Sequence, residues 1–182
     1  MQGVVRTRVG YAGGTSPNPT YERIGDHTET LQIDFDPAKI TYDELLEVFW
    51  AEHEPGSRSW SRQYMAAIFY HTDRQRESAL ATRDRVAAKR GSRVHTEILP
   101  AATFTPAEDY HQKYYLRGHK GILREFKAMY PRDSDFTAST AAARVNGYVG
   151  GYGSRRQLET EIEDLGVSAD ARLALLKSVG RR

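Results

Sequence analysis

The stretch Gly10-Tyr11-Ala12-Gly13-Gly14-Thr15-Ser16-Pro17-Asn18-Pro19-Thr20-Tyr21 decides how the rest of the chain is read. It is made almost wholly of residues that force backbone shape. Gly10, Gly13 and Gly14 permit left-handed backbone or close approach of a neighbour. Pro17 and Pro19 fix φ and push Ser16 and Asn18 toward extended geometry. The expectation is a rigid, irregular loop from Gly10 that ends by presenting Tyr21. Such loops tend to position function.

Outward from this loop, local signals repeat. Val4, Val5 and Val9, with Arg6 and Arg8 between them, read as a short strand entering it. On the far side Leu31, Ile33 and Phe35 alternate with Gln32 and Asp34, the period of a half-buried strand, which Asp36-Pro37 ends. Thr41 and Glu44 are spaced as a capping box, with Ile40 and Leu45 placed for a hydrophobic staple. The helix they start carries Leu45, Leu46, Val48, Phe49 and Trp50 as one apolar stripe, so Trp50 is read as core.

Residues 65–70 read as a strand. Thr72 and Gln75 cap a long charged helix through Lys89, with Gly91 at its C-terminal stop. Residues 94–99 read as another strand, and Thr105-Pro106-Ala107-Glu108 as a further helix start. Strands alternating with helices define a two-layer α/β (α+β) domain. Beyond Tyr115, residues 121–129 form an amphipathic helix ended by Pro131. Asp133-Ser134-Asp135 reads as a linker and residues 146–153 as a glycine hinge. Ser154 with Gln157 and then Ser168 start two last helices.

Composition narrows the function classes. At 182 residues, 39% apolar, 27% charged and mean hydropathy −0.65, the chain suits one globular domain with an extension. A net charge of +2 is too small to argue for nucleic acid. No apolar run reaches the ~20 residues of a membrane helix, and the first residues have no signal-peptide character, so a cytoplasmic location is expected. Zero cysteine removes disulfides, thiolate metal sites and thiol nucleophiles together. The six histidines show no metal-ligand spacing, so no metal is expected.

The glycine-proline loop is followed in order by His27-Thr28-Glu29, Asp36-Pro37, Tyr42-Asp43-Glu44-Leu45-Leu46-Glu47-Val48-Phe49-Trp50, Gln63-Tyr64 and Ala107-Glu108-Asp109-Tyr110-His111-Gln112. As an ordered set, from Gly10 to about Tyr115, these resemble the methionine sulfoxide reductase A family. The resemblance implies a two-layer mixed-sheet sandwich over residues 1–132 and a small helical extension over 133–182, the latter similar to that of one branch of the family. It implies reduction of methionine-(S)-sulfoxide, free or in proteins, with thioredoxin or another thiol as reductant and no bound cofactor. It also implies a monomer with no nucleic-acid or membrane partner.

Sulfoxide reduction needs a soft nucleophile for sulfur, a donor for the oxygen and an apolar pocket for the S-methyl group. In the family, attack leaves a sulfenic acid that thiols then reduce. By resemblance Glu29 is the acid: a carboxyl drawn partly out of water favours its protonated form and can donate. Tyr21 and Tyr64 match the two tyrosines whose hydroxyls point at the sulfoxide oxygen, as donors in an oxyanion hole do. Trp60, Ser59 and His111 complete the expected substrate-binding set. Ser59 falls where the family has an aspartate, Trp60 either rebuilds an apolar wall or covers an edge, and His111 holds a helix against the pocket. Read on residue type alone, Glu29 is a solvated strand residue and the two tyrosines are core.

The family's nucleophile is a cysteine in Gly-Cys-Phe-Trp-Gly, which this sequence lacks. The expectation is that Met1 is an internal methionine and that a cysteine, or the selenocysteine some members carry, lies upstream. Two other readings stand beside it. One is a relative that recognises methionine sulfoxide without reducing it. In the other, the C-terminal helices are an interaction element on a relic α/β part.

Overall fold

The computed structural model describes residues 1–179; the last three residues of the expected extension lie outside them. Two compact units partition the chain. Residues 9–31 and 36–107 form one, and residues 1–8, 32–35 and those from 108 onward form the other.

Strand β1 (Val4–Ala12) is central in a three-stranded sheet of order β2-β1-β5, with β2 spanning Thr28–Phe35 and β5 only Thr105–Pro106. β5 runs antiparallel to β1, Gly10 opposite Pro106 and Tyr11 opposite Thr105. Two expectations are corrected here. The irregular loop begins at Gly13, because Gly10, Tyr11 and Ala12 are still strand. The helix start expected at Thr105-Pro106 is instead an edge strand, where a residue without an N–H is tolerated. Ala107 continues the pairing by donating its N–H to the Val9 carbonyl, at 3.0 Å. The close crossing explains Gly10, since a Cβ there would lie 2.3 Å from the Thr105 carbonyl oxygen.

In the unit of residues 9–31 and 36–107, β3 (Ala67–Tyr70) and β4 (Glu97–Pro100) pair in parallel, Ala67 opposite Glu97. Helix α2 (Asp73–Arg90) makes the crossover that a parallel pair requires. Helix α1 (Tyr42–Ala51) has the expected box: Glu44 N–H donates to Thr41 Oγ1 at 3.2 Å and Thr41 N–H donates to Glu44 Oε2 at 2.7 Å. Helix α2 starts at its Thr72 cap and ends on a left-handed Gly91. Leu46, Ile68 and Ala79 form the buried centre, with Phe49, Trp50 and Ile98 packed around it. The stripe of α1 is only partly covered, because Val48 remains 41% exposed. β2 lacks the expected alternation of burial too, since Leu31 is 56% exposed.

The larger buried apolar cluster among the described residues belongs to the other unit. It comprises α3 (Tyr114–Arg117), α4 (Lys120–Met129), α5 (Asp133–Ala138), α6 (Thr140–Val149), α7 (Arg155–Glu161), a 3-10 turn (Ile162–Leu165) and α8 (Ala169–Ser178). Leu116, Phe126, Phe136, Val145, Leu158 and Leu175 are fully buried in it.

Here two loop expectations fail. The stretch 133–135 is the first turn of α5, not a linker. Asp133 pairs with both Arg117 and Lys127, and Phe136 lies under the latter two cations. Residues 146–149 are helix, not hinge, because Tyr148 is buried with its hydroxyl on Glu161, and Asn146 Oδ1 accepts from Leu116 N–H at 3.1 Å. Of that glycine run only Gly151 and Gly153 have positive φ. The caps at Ser154 and Ser168 and the left-handed stop at Gly166 form as the sequence indicates.

Candidate functional site

The loop joining β1 to β2 is locked by one carboxylate. Asp26 accepts from Thr15 N–H (2.9 Å), Thr15 Oγ1–H (2.9 Å) and Ser16 N–H (2.9 Å). These donors, the Ser16 amide first, hold the Asp26 carboxyl well below the usual carboxylate range. His27 is buried behind it, its Nε2 donating to the Ser16 carbonyl at 2.8 Å. Gly13 takes φ +79°, with Phe69 2.7 Å from where a Cβ would sit. Asn18, expected extended before Pro19, is instead left-handed at φ 49°, a conformation that asparagine tolerates better than most residues.

An Asp26→Asn variant checks this lock. A depressed carboxylate contributes above the ordinary aspartate range and loses that contribution as pH falls through its lowered folded value. Thr15 and Ser16 amide protection, read by hydrogen exchange, is therefore expected to persist through pH 4 in the native protein. It is expected to be weak at every pH in Asp26→Asn.

A second segment, residues 61–64, is stitched to the same loop and to the start of β2. Arg62 Nε donates to the Asp26 carbonyl (2.9 Å) and Arg62 Nη2 to the Gly13 carbonyl (3.0 Å). Thr28 Oγ1 donates to the Arg62 carbonyl at 2.9 Å, and Glu29 N–H to the Gln63 carbonyl at 2.9 Å. Gln63 Nε2 then donates to Glu29 Oε1 at 2.8 Å, which fixes the carboxyl.

This stitching brings Tyr21, Glu29 and Tyr64 together. The Tyr64 hydroxyl is held above the usual phenol range, first by desolvation, then by the fields of Tyr21 and Glu29 and a hydrogen bond with Tyr21. Tyr64 therefore stays protonated at neutral pH and keeps a hydrogen to donate. The group is open to solvent: Tyr21 is 43% and Tyr64 46% exposed, so neither tyrosine is core. Glu29 is exposed as well, not partly buried as the sequence reading expected. It sits at the start of β2 with Gln63 beside it.

The remaining expected residues are placed as follows. Trp60 is 85% exposed, its ring centroid 5.3 Å from that of Tyr64. Ser59 closes a local turn, donating to the Ser61 carbonyl at 2.7 Å. His111 belongs to the other compact unit and packs at a tilt against Tyr110, with ring centroids 4.3 Å apart. Asp26, Arg62 and Gln63 are the positioning residues that sequence reasoning did not assign. Their contacts are long-range bonds with no periodic trace.

Among the described residues no three His, Cys, Asp or Glu side chains are grouped to hold a metal, and no helix is long and apolar enough to cross a membrane. A carboxyl, Glu29, and two phenols, Tyr21 and Tyr64, are gathered at a loop-strand junction of a mixed α/β fold.

Comparison with known proteins assigns the chain to a family. A family profile described as peptide methionine sulfoxide reductase matches residues 1–143, and the chain belongs to this family. A second profile, the helical domain of selenoprotein methionine sulfoxide reductase A, matches residues 132–178. The peptide methionine sulfoxide reductase of Drosophila melanogaster is 42% identical over 173 residues, spanning 94% of this chain and 69% of the fly protein. That of Methanococcoides burtonii is 46% identical over 126 residues, spanning 63% of this chain and 82% of its own. Among solved structures, reduced Mxr1 of Saccharomyces cerevisiae superposes with TM-score 0.60 at 29% identity, over 63% of this chain and 72% of that one. Methionine sulfoxide reductase A of Corynebacterium diphtheriae gives 0.55 at 35% identity, over 63% and 64%.

Proposed function

We propose that this chain binds methionine-(S)-sulfoxide, free or in proteins, with the sulfoxide oxygen received by the Tyr21 and Tyr64 hydroxyls and the Glu29 acid. The observation that carries this reading is the convergence of those three side chains, with Gln63 holding the carboxyl and Tyr64 keeping its proton. Substrate settling over Glu29 would displace water, which favours the neutral acid that can donate. Trp60, exposed beside Tyr64, offers an apolar ring for the S-methyl group. Ser59 acts on the substrate indirectly, by shaping the turn that carries Trp60, and His111 supports a helix in its own unit. Residues 1–132 are proposed as the reductase domain and 133–182 as its helical extension.

Reduction needs a nucleophile that these 182 residues do not contain. With a thiolate or selenolate supplied, attack on the sulfoxide sulfur would form a nucleophile–sulfur bond while the acid delivers a proton to the oxygen. The oxygen would then pass from the substrate sulfur to the nucleophile, breaking both the sulfur–oxygen bond and the new nucleophile–sulfur bond, to leave a sulfenic or selenenic acid and the methionine thioether. One reductant thiol then displaces that oxygen as water, and a second closes the disulfide. The match to a helical domain named for a selenoprotein favours a selenol in the native enzyme. Thioredoxin or another cytoplasmic dithiol is the proposed reductant, acting on a monomer.

The test is turnover of a methionine-(S)-sulfoxide peptide with dithiothreitol. The chain alone is expected to be inactive. A chain with a strand and Gly-Cys-Phe-Trp-Gly joined ahead of Met1 is expected to turn over, and its Cys→Ser form is not. A folded extended chain that binds the sulfoxide without turnover would favour the second reading, recognition without reduction, to which the absence of cysteine points.

A further inference from the structure

The unit of residues 9–31 and 36–107 carries a groove of about 880 Å³ between α2, β4 and the segment 57–62. Its lining is charged on one side of the balance. Arg58, Arg62, Arg83 and Arg93 face it, against Glu97 alone among the acids. Arg83 is already matched by Asp84, 2.7 Å away. Arg62 spends its hydrogens on backbone carbonyls, so no carboxylate answers its charge. Arg58 and Arg93 are exposed, and neither is paired with a carboxylate among the described residues. Both lie near enough to His95 that, after burial, their charges push its ring toward the neutral form. His95 therefore adds no charge at neutral pH, but its backbone N–H donates to the Pro55 carbonyl at 2.7 Å and ties the 93–95 segment to the chain just ahead of residues 57–62.

Two further observations say what fits. Trp60 lines this groove and touches Tyr64, so the groove adjoins the donor cluster. The whole chain has a net charge of only +2, so this excess is local and does not reflect general basicity. A long polyanion gains from a broad basic face; three arginines that no carboxylate answers, Arg58, Arg62 and Arg93, suit a few carboxylates.

We propose that this groove selects peptide substrates with aspartate or glutamate near the oxidised methionine, Arg58 and Arg93 taking the carboxylates while the sulfoxide lies at Tyr64. The proposal rests on the sulfoxide-binding reading above. Charge pairs of this kind set preference and encounter more than total affinity, and they weaken with salt.

The experiment measures binding of three labelled methionine-(S)-sulfoxide peptides, flanked by acidic, neutral or lysine residues. Each is titrated into the native chain and into Arg58→Gln/Arg93→Gln. The acidic peptide is expected to bind the native chain about 5- to 10-fold more tightly than the neutral one at low salt. That preference should fall to roughly unity in the double variant and at ~1 M salt. The neutral peptide should bind both proteins alike.

Equal affinities in the native chain, or a preference that survives in the double variant, overturn the proposal. So does a single-stranded oligonucleotide that binds as tightly as the acidic peptide. An acidic peptide with unoxidised methionine separates the two readings by amide shifts. Shifts at residues 58 and 93–95 with no gain from the sulfoxide would leave the groove assignment standing and sink the donor cluster. Sulfoxide-dependent affinity without those shifts would do the reverse.

Discussion

Supplied with a cysteine nucleophile, the Glu29→Gln variant is expected to lose on the order of 10²- to 10³-fold in kcat, with KM changed far less. Glutamine keeps the shape and leaves Gln63 an acceptor, so the loop-strand junction and ground-state binding survive. What is removed is the proton that the oxygen needs as its bond to sulfur breaks. Because that proton is needed only as the reaction proceeds, its loss falls on kcat. Tyr64→Phe should be milder, since Tyr21 still offers a hydroxyl beside it. The measurement is steady-state turnover of a methionine-(S)-sulfoxide peptide with dithiothreitol. Equal kcat in wild type and Glu29→Gln would remove Glu29 from the chemistry.

The second large effect is on stability. Phe136 is fully buried, meets Phe126 edge-on at 6.4 Å, and has Arg117 and Lys127 over its face at 5.2 and 4.9 Å. Phe136→Ala leaves a cavity where α4, α5 and α6 meet and should cost about 3–5 kcal/mol. That is a large share of an ordinary ~5–15 kcal/mol of total stability. The melting midpoint should fall by on the order of 10 °C. Phe136→Leu keeps most of the volume and loses mainly the ring-cation contacts, so it should cost roughly 1–2 kcal/mol. Calorimetric unfolding of the three proteins checks the order. A Phe136→Ala protein as stable as wild type would mean that α5 is dispensable to this core.

Phe136 also shows where sequence reading reached its limit. Helix starts at Thr41, Thr72, Ser154 and Ser168 were legible because a cap is written within four residues of chain. Residues 133–135 carry two aspartates and a serine and look like a linker. Their helix exists because Arg117 and Lys127 hold Asp133 while Phe136 is buried, and partners 6 to 16 residues away leave no local mark. The glycine run at 146–153 misled for the same reason, since Tyr148 on Glu161 overrides glycine's preference for loops. Pro106 is a good first helical residue in isolation; pairing with β1, nearly a hundred residues earlier, takes it into a strand.

The grouping of the candidate residues was legible in a different way. Composition and periodicity gave no reason to join Tyr21, Glu29 and Tyr64, and the order of short motifs did. The geometry now shows why they meet. Arg62 reaches back 49 residues to Gly13 and 36 to Asp26, and Gln63 reaches 34 to Glu29. The burial expected for Glu29 could not be read from a strand pattern, because cover depends on what packs above it, and here the side chain is exposed.

Binding of a methionine sulfoxide peptide to the native chain, followed by calorimetry with the separated S and R epimers, tests the central claim most directly. Tyr21, Glu29 and Tyr64 receive an oxygen from one side, so the S epimer should bind saturably and at least ~10-fold more tightly than the R epimer, a difference of about 1.4 kcal/mol. Tyr64→Phe should erode that ratio. Equal binding of both epimers, or of the unoxidised peptide, would contradict a sulfoxide-receiving role for these three side chains.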